Sequence, residues 1–127
     1  MLSSRSLLSA SLVVVAILAS SVLAACGSST TGSGGGNQAT GSTCPTGSTL
    51  TYENFGKAFI QTNCLECHET KENPKLTSLA TIQSVAKDID REAASGPNAT
   101  NTSMPEEGSV STEDRKKLGE WLACGAP

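Results

Sequence analysis

Apolar residues after position 50 recur every three or four positions, and they do not alternate with polar residues as in a strand. Segment 51–62 carries this pattern in its aromatic residues, since Tyr52, Phe55 and Phe59 share one face of a helix. Segment 77–95 repeats the pattern with aliphatic residues, and a Gly-Pro pair follows it. The spacing therefore predicts two helices in this part of the chain.

A third helix is predicted over segment 111–125. Ser111 and Asp114 have the spacing of a helix-capping pair, and a glycine closes the segment. Its apolar face consists of Leu118, Trp121 and Leu122. The segment between the second and third helices is polar and rich in turn residues around a single methionine, Met104. We therefore predict an all-α domain with long loops.

The N-terminal residues have the pattern of an export signal. Arg5 precedes an apolar run that is too short to span a membrane, and small residues precede Cys26. Residues 1–25 are therefore predicted to be a signal peptide. The Leu-Ala-Ala-Cys ending resembles the lipobox of bacterial lipoproteins, which implies that Cys26 is lipidated. The expected location is the bacterial cell envelope, lipid-anchored, on the periplasmic side or at the outer membrane.

The rest of the chain divides into a linker and one domain. Residues 26–43 contain no large apolar side chain, so we predict a flexible linker of Gly, Ser and Thr that starts with the lipidated cysteine. Residues 44–127 suffice for one small domain, and their few large apolar residues suggest a disulfide or a bound group in the core. Without Arg5, eight basic and twelve acidic residues give a formal charge of −4, which argues against a nucleic-acid partner.

The candidate chemistry lies in the sequence Cys-Leu-Glu-Cys-His, where Cys64 and Cys67 precede His68, the only histidine. A thioredoxin-like redox pair would require a βαβ unit, which the helical pattern does not predict. A zinc site would take its ligands from Cys44, Cys64, Cys67 and either Cys124 or His68. Structural zinc sites usually combine two closely spaced ligand pairs, and this sequence has one.

The same motif is typical of c-type haem attachment. Both thiols bond to the vinyl groups of the haem, and the adjacent imidazole ligates the iron. One helical turn explains the spacing, because it places both sulfur atoms along one edge of the porphyrin and the imidazole below the iron. One covalent haem c is therefore the predicted cofactor, held by Cys64, Cys67 and His68.

The residues around the motif extend this interpretation. Gly56 and Ile60 stand eight and four residues before Cys64, and the last helix carries Leu118 and Trp121 three residues apart. Together with the motif, this pattern resembles the class I cytochromes c over nearly all of the predicted domain. The resemblance implies a small cytochrome c-like fold of about three helices and long loops around one covalent haem. It also implies that Gly56 allows the first and last helices to cross closely.

The resemblance also implies roles for residues beyond the motif. Met104, followed by proline, matches the distal ligand of the family and would be the second ligand of the iron; a lone methionine otherwise often fills a core. Pro74 and Leu76 match a Pro-x-Leu pattern, so the Pro74 carbonyl would accept a hydrogen bond from His68, although a turn proline fits the residues equally well. The short segment from His68 to Met104 departs from the family pattern.

Two cysteines also lie outside the common family pattern. The resemblance implies that the two ends of the domain pack together, and export permits disulfide formation. We therefore predict a disulfide between Cys44 and Cys124, which accounts for both.

The function implied by the resemblance is electron transfer by a membrane-tethered monohaem cytochrome. Such a protein is not an enzyme and exchanges electrons with redox partner proteins. One alternative is a haem-based ligand sensor in which Met104 is displaced, and another is a zinc-binding structural lipoprotein. Acidic residues near the motif and the methionine predict an acidic rim and a partner with a basic docking surface. These residues are Glu66, Glu69, Glu72, Glu106 and Glu107.

Overall fold

The computed structural model describes residues 38–127, and within this range the chain is helical with no strand. Helices account for 47% of the described residues, which confirms the prediction of an all-α domain. The predicted signal peptide, the lipidated Cys26 and the first part of the linker lie outside the described residues.

The helices fall on the three predicted segments, two of which are divided, except for one short helix at the Cys-x-x-Cys-His motif that lies beyond the first segment. In chain order they are a π-helical turn (Tyr52–Gly56), α1 (Lys57–Asn63), α2 (Leu65–His68), α3 (Leu79–Ser84), α4 (Ala86–Ala93) and α5 (Thr112–Ala123). No helix in this part of the chain has the length and apolar character required to cross a membrane.

Polar side chains cap the first and last of these segments. Thr51 and Asn54 form a capping box before the π-helical turn, in which each side chain accepts a hydrogen bond from the backbone amide of the other. Ser111 caps α5 by accepting a hydrogen bond of 3.0 Å from the amide of Asp114, as the spacing predicted. These caps satisfy amide groups that the first helical turn leaves without a partner.

The prediction of one continuous helix over 77–95 is wrong at Val85. This residue has φ −114° and ψ 17°, which separates α3 from α4. The hydroxyl of the preceding residue, Ser84, donates a hydrogen bond of 2.7 Å to the carbonyl of Thr81, about one turn earlier. A serine that bonds to the preceding turn bends a helix, and the sequence contains no Gly or Pro to mark the position. Ile82 and Ile89, on either side of the break, are both buried.

The π-helical turn and α5 cross at Gly56, as predicted. A Cβ atom at Gly56 would lie 2.3 Å from Cζ2 of Trp121, so only glycine permits this approach. Trp121 is fully buried, and its ring lies edge-on to that of Phe55 with the centroids 6.1 Å apart. Leu118 and Ile60 are buried in the same core. The apolar faces predicted for the first and last helices therefore pack against each other.

The two ends of the domain are joined covalently. Cys44 and Cys124 form a disulfide with their Cα atoms 4.7 Å apart, which confirms the predicted pair. The amide of Tyr52 donates a hydrogen bond to the carbonyl of Pro127, which lies close to Cys124 in the chain. The entry to the first helix and the exit from the last one are therefore held together.

Residues 38–43, here called the strap, correct the predicted boundary between linker and domain. Thr40 is fully buried, and its amide and hydroxyl donate hydrogen bonds of 2.9 and 2.5 Å to the carboxylate of Asp90. Its carbonyl accepts a hydrogen bond of 2.8 Å from the amide of Asn98. The strap was assigned to the linker because it lacks large apolar residues, but a threonine whose polar groups are satisfied can also be buried.

Candidate functional site

The Cys-Leu-Glu-Cys-His motif forms one helical turn. Cys64 ends α1, where its amide donates a hydrogen bond of 2.9 Å to the carbonyl of Ile60. The carbonyl of Cys64 then accepts hydrogen bonds of 3.3 and 2.9 Å from the amides of Cys67 and His68. The motif is therefore held by its own backbone in the local conformation that its spacing predicted.

His68 has a fixed partner on one side of its ring. Its Nδ1 lies 2.8 Å from the carbonyl oxygen of Pro74, which is the contact that the resemblance implied. A carbonyl oxygen only accepts hydrogen bonds, so Nδ1 carries the proton in this contact. In the neutral ring Nε2 then has a free lone pair, and a metal-ligating histidine typically has this arrangement.

The segment after His68 is closed by a second hydrogen bond. The amide of Leu76 donates a hydrogen bond of 2.9 Å to the carbonyl of His68. Leu76 itself is buried in the core. These contacts fix the backbone on both sides of Pro74, so that its carbonyl is directed at the imidazole.

The two cysteines of the motif differ in their surroundings. Cys64 is half-buried against the core, and burial raises the pKa of its thiol from 9.0 to about 11. This thiol is therefore protonated at neutral pH and a poor source of metal-binding thiolate. Cys67 is disulfide-bonded in this structure. A thioether bond to haem would use the same sulfur atom, so the disulfide and the thioether exclude each other.

Met104 lies in a loop that is attached to α4. Its side chain is half-buried against the core, and its amide donates a hydrogen bond of 2.9 Å to the carbonyl of Glu92. The hydroxyl of the preceding Ser103 donates a hydrogen bond of 2.6 Å to the carboxylate of Glu92. The backbone that carries the methionine is therefore fixed to the last turn of α4.

Arg115 is buried beneath this loop, with 5% of its surface exposed. Its Nη1 donates hydrogen bonds to the carbonyls of Ala93, Asn101 and Met104, over 2.7, 2.9 and 2.8 Å. Burial lowers the pKa of this guanidinium from its ordinary value, because removal from water disfavours the charge. Sequence reasoning missed Arg115, since two lysines follow it and the group resembles a solvated helix face.

Asn101 connects the same loop to the strap, and sequence reasoning missed it as well. Only 1% of its surface is exposed. Its side-chain amide donates hydrogen bonds of 2.7 and 2.8 Å to the carbonyls of Gln38 and Asp90. No signal in the sequence marks this residue, because its partners are backbone groups and its neighbours are typical of a surface loop.

His68 and Met104 are residue types that can ligate a haem iron, whereas covalent attachment requires that Cys67 leave its disulfide. A histidine with its lone pair free and a methionine each lie on a segment fixed by hydrogen bonds. Several apolar residues are also half-buried against the core. These are Leu50, Tyr52, Phe55, Leu65, Leu79, Val85, Ala86 and Val110.

Two surface pockets lie elsewhere on the domain. One of about 370 Å³ is lined by Ser95 and Lys116 among others, and one of about 480 Å³ by Asp90 and Arg91 among others. Both include residues of the strap, and neither is lined by the motif or by Met104. The fit of the haem therefore rests on the residues that would ligate it, His68 and Met104.

In the zinc set considered from the sequence, three cysteines are in disulfide bonds, and Cys67 is one of them. Cys44 and Cys124 are bonded to each other, so neither supplies a thiolate. Among residues 38–127, no group of three or more His, Cys, Asp or Glu side chains is arranged to hold a metal ion. The acidic residues near the motif and the methionine are exposed, except for Glu72, which is half-buried.

Comparisons with known proteins add no assignment. No family model matches the chain, and no significant match was found among curated proteins or solved structures.

Proposed function

We propose that this chain is a monohaem c-type cytochrome, a membrane-tethered electron carrier with a cytochrome c-like fold. Cys64 and Cys67 would attach the haem, and His68 and Met104 would ligate its iron. The observation that carries the proposal is the motif turn itself, in which Nδ1 of His68 lies 2.8 Å from the Pro74 carbonyl. This contact leaves Nε2 with its lone pair directed away from the carbonyl.

The bound haem would supply a one-electron couple between ferric and ferrous iron. His68 and Met104 would be ligands of different kinds, and a thioether sulfur raises the reduction potential relative to a second imidazole. A second imidazole is not available, because the chain has one histidine. With His68 and Met104 both bound to the iron, no position would be left for a substrate, which favours electron transfer over catalysis.

The loop around Met104 supports a carrier over a ligand sensor. A sensor requires the methionine to leave the iron readily, and the backbone of this residue is fixed from both sides. Its amide bonds to Glu92 and its carbonyl to the buried Arg115. The sensor therefore stays an outcome to be tested, and zinc is disfavoured by the disulfide between Cys44 and Cys124.

The proposal includes a tether and a partner. Lipid on Cys26 would hold the domain at the cell envelope, on the periplasmic side or at the outer membrane. Exposed glutamates beside the motif and beside Met104 would present an acidic rim to a redox partner with basic residues. Electron-transfer rates with such a partner would fall as the salt concentration rises.

Intact mass and visible spectra of the full chain test the proposal. The protein is produced in a bacterial host that exports it and attaches haem to such motifs. We expect one haem bound covalently and a spectrum that changes on reduction. The matched control replaces Cys64 and Cys67 together with alanine, which removes covalent attachment and retains His68 and Met104.

Two outcomes would overturn the assignment. A colourless protein that retains the Cys67 disulfide contradicts the haem, since the sulfur is then unavailable. A haem-loaded protein that binds carbon monoxide tightly when reduced favours the sensor instead. Met104→Ala separates the ligand from the attachment: we expect the haem to stay bound, the potential to fall and the sulfur-to-iron charge-transfer band to disappear.

A further inference from the structure

The Met104 loop is held by a buried cation. Arg115 comes from the first turn of α5 and reaches the carbonyl of Met104 at 2.8 Å. The same Nη1 atom bonds to the carbonyl of Ala93, which ends α4, and to that of Asn101. One side chain thus joins α5 to the end of α4 and to two points of the loop, and one of these points is the methionine.

Stability alone does not explain an arginine at this position. The ion pairs found among residues 38–127 lie on the surface, between Lys57 and Glu53 and between Lys117 and Asp114. The partners of Arg115 are neutral carbonyl groups, and a charge is costly to bury without a carboxylate. A planar guanidinium offers donors in fixed directions, which suits a site where several carbonyls must be held in one arrangement.

A second set of contacts supports the same loop. Asn101 accepts the hydrogen bond from Arg115 through its carbonyl, and its side chain donates to Gln38 and Asp90. The chain of contacts therefore runs from the strap, through Asn101 and Arg115, to the backbone of Met104. Each of these links is a hydrogen bond of 2.9 Å or less.

We infer that Arg115 is the positioning residue of Met104, which holds the methionine backbone in place for ligation of the iron. This inference rests on the proposed function. Arg115 does not touch the iron and acts through the carbonyl of Met104. Without it the loop opens more often, and an external ligand then competes more successfully for the position of the sulfur.

Imidazole binding to the oxidised, haem-loaded full chain tests the inference. Arg115→Met removes all donors and keeps an unbranched stem, whereas Arg115→Lys keeps a charge and a shorter donor. For Arg115→Met we expect the affinity for imidazole to rise on the order of tenfold. This is the change expected when the closed loop loses the stabilisation of one charge-assisted hydrogen bond. The sulfur-to-iron band should weaken, and Arg115→Lys should show both effects to a smaller extent. Arg91→Met, at an exposed arginine of α4, is the matched control and should change neither.

Hydrogen exchange gives a readout that does not depend on the iron. The amide of Met104 is bonded to the carbonyl of Glu92, and we expect its exchange to accelerate in Arg115→Met. If Arg115→Met yields no folded protein, Arg115→Lys decides by the same two measurements. Unchanged imidazole affinity and an unchanged band in a folded, haem-loaded variant would overturn the positioning role and leave the proposed function intact. A wild-type protein without haem would instead overturn the proposed function, and with it the role toward iron.

Discussion

Helix α5 takes part in two buried regions that are held together by different forces. At the helix crossing, Trp121 packs against Gly56 and the ring of Phe55. At the loop of residues 94–110, Arg115 donates to three backbone carbonyls. The first region is stabilised by apolar contact area, and the second by polar groups that are removed from water and paired.

This difference determines how each region responds to substitution. An apolar crossing is sensitive to volume, because close-packed atoms leave no space for an added group. A buried polar region is sensitive to the loss of one partner, because the other is then left unsatisfied. Substitutions that change the volume of a side chain but not its polarity therefore test the crossing. Substitutions that remove a polar group but keep the volume test the loop.

The largest effect on stability is expected from removal of the disulfide between Cys44 and Cys124, which joins the two ends of the domain. Replacing Cys44 and Cys124 together with serine should lower the free energy of unfolding by about 4 kcal/mol, because the unfolded chain regains the freedom of a loop with ends 80 residues apart. Urea unfolding of the double variant measures this change. Wild type treated with a reductant should lose at least this amount, because the reductant also opens the disulfide of Cys67. A loss below about 1 kcal/mol would show that the crossing holds the ends without the bond.

The second effect concerns the crossing itself. Gly56→Ala should lower the free energy of unfolding by about 3 kcal/mol, because the new methyl group would meet Cζ2 of Trp121 at 2.3 Å. Thermal and urea unfolding provide the measurement. Ala58→Ser, at an exposed position of α1, is the control and should be near neutral.

A double variant sharpens this test. Trp121→Phe removes the part of the ring that the new methyl group would contact. If the clash is the cause, Gly56→Ala should cost less in the Trp121→Phe background than in wild type. Equal costs in both backgrounds would contradict the close crossing.

The apolar region was predictable from the sequence, and the polar region was not. Helix periodicity placed Phe59 and Trp121 on buried faces, and the family resemblance located the crossing at Gly56. The residues that hold the loop, Arg115 and Asn101, donate mainly to backbone carbonyls. Every residue has such a carbonyl, so no side-chain pattern marks the partner. The break at Val85 was missed for a related reason, since a serine hydroxyl bonds to the backbone there.

The candidate site also combines features that the sequence predicted with features that it did not. The sequence motif located Cys64 and His68, and the helical turn that holds them follows from the spacing. The contact from His68 to Pro74 was accessible only through the family resemblance, because a proline in a turn has many roles. The burial that raises the pKa of Cys64 depends on the packing of the whole domain and has no local signal.

In the polar loop, the third effect is expected from Asn101. Asn101→Ala removes the donor to the carbonyls of Gln38 and Asp90 and leaves a small cavity. The free energy of unfolding should fall by about 2 kcal/mol, because the two carbonyls lose a partner in a buried place. Asn98→Ala is the control, since this residue is exposed and contributes its backbone amide. Equal stability of the two variants in urea would contradict a buried polar network.

The smallest effect distinguishes the strap from a flexible linker. Thr40→Val retains the shape of the side chain and removes the hydroxyl that donates to Asp90. The free energy of unfolding should fall by about 1 kcal/mol, because the carboxylate loses one of its donors while the amide of Thr40 stays in place. Thr40→Ser keeps the hydroxyl and loses a methyl group, so it separates the polar contribution from the apolar one.

The two variants at Thr40 also decide where the domain begins. A linker in contact with solvent would make both substitutions neutral, as expected for surface positions. A packed strap makes Thr40→Val costly through the Asp90 carboxylate, and deletion of residues 38–43 should then cost more than either single variant. Because Asn101 bonds to Gln38 in the same strap, the deletion should also accelerate hydrogen exchange at the amide of Met104. Unchanged exchange at Met104 after the deletion would show that the strap and the methionine loop are held independently, and the polar region would then consist of two separate parts.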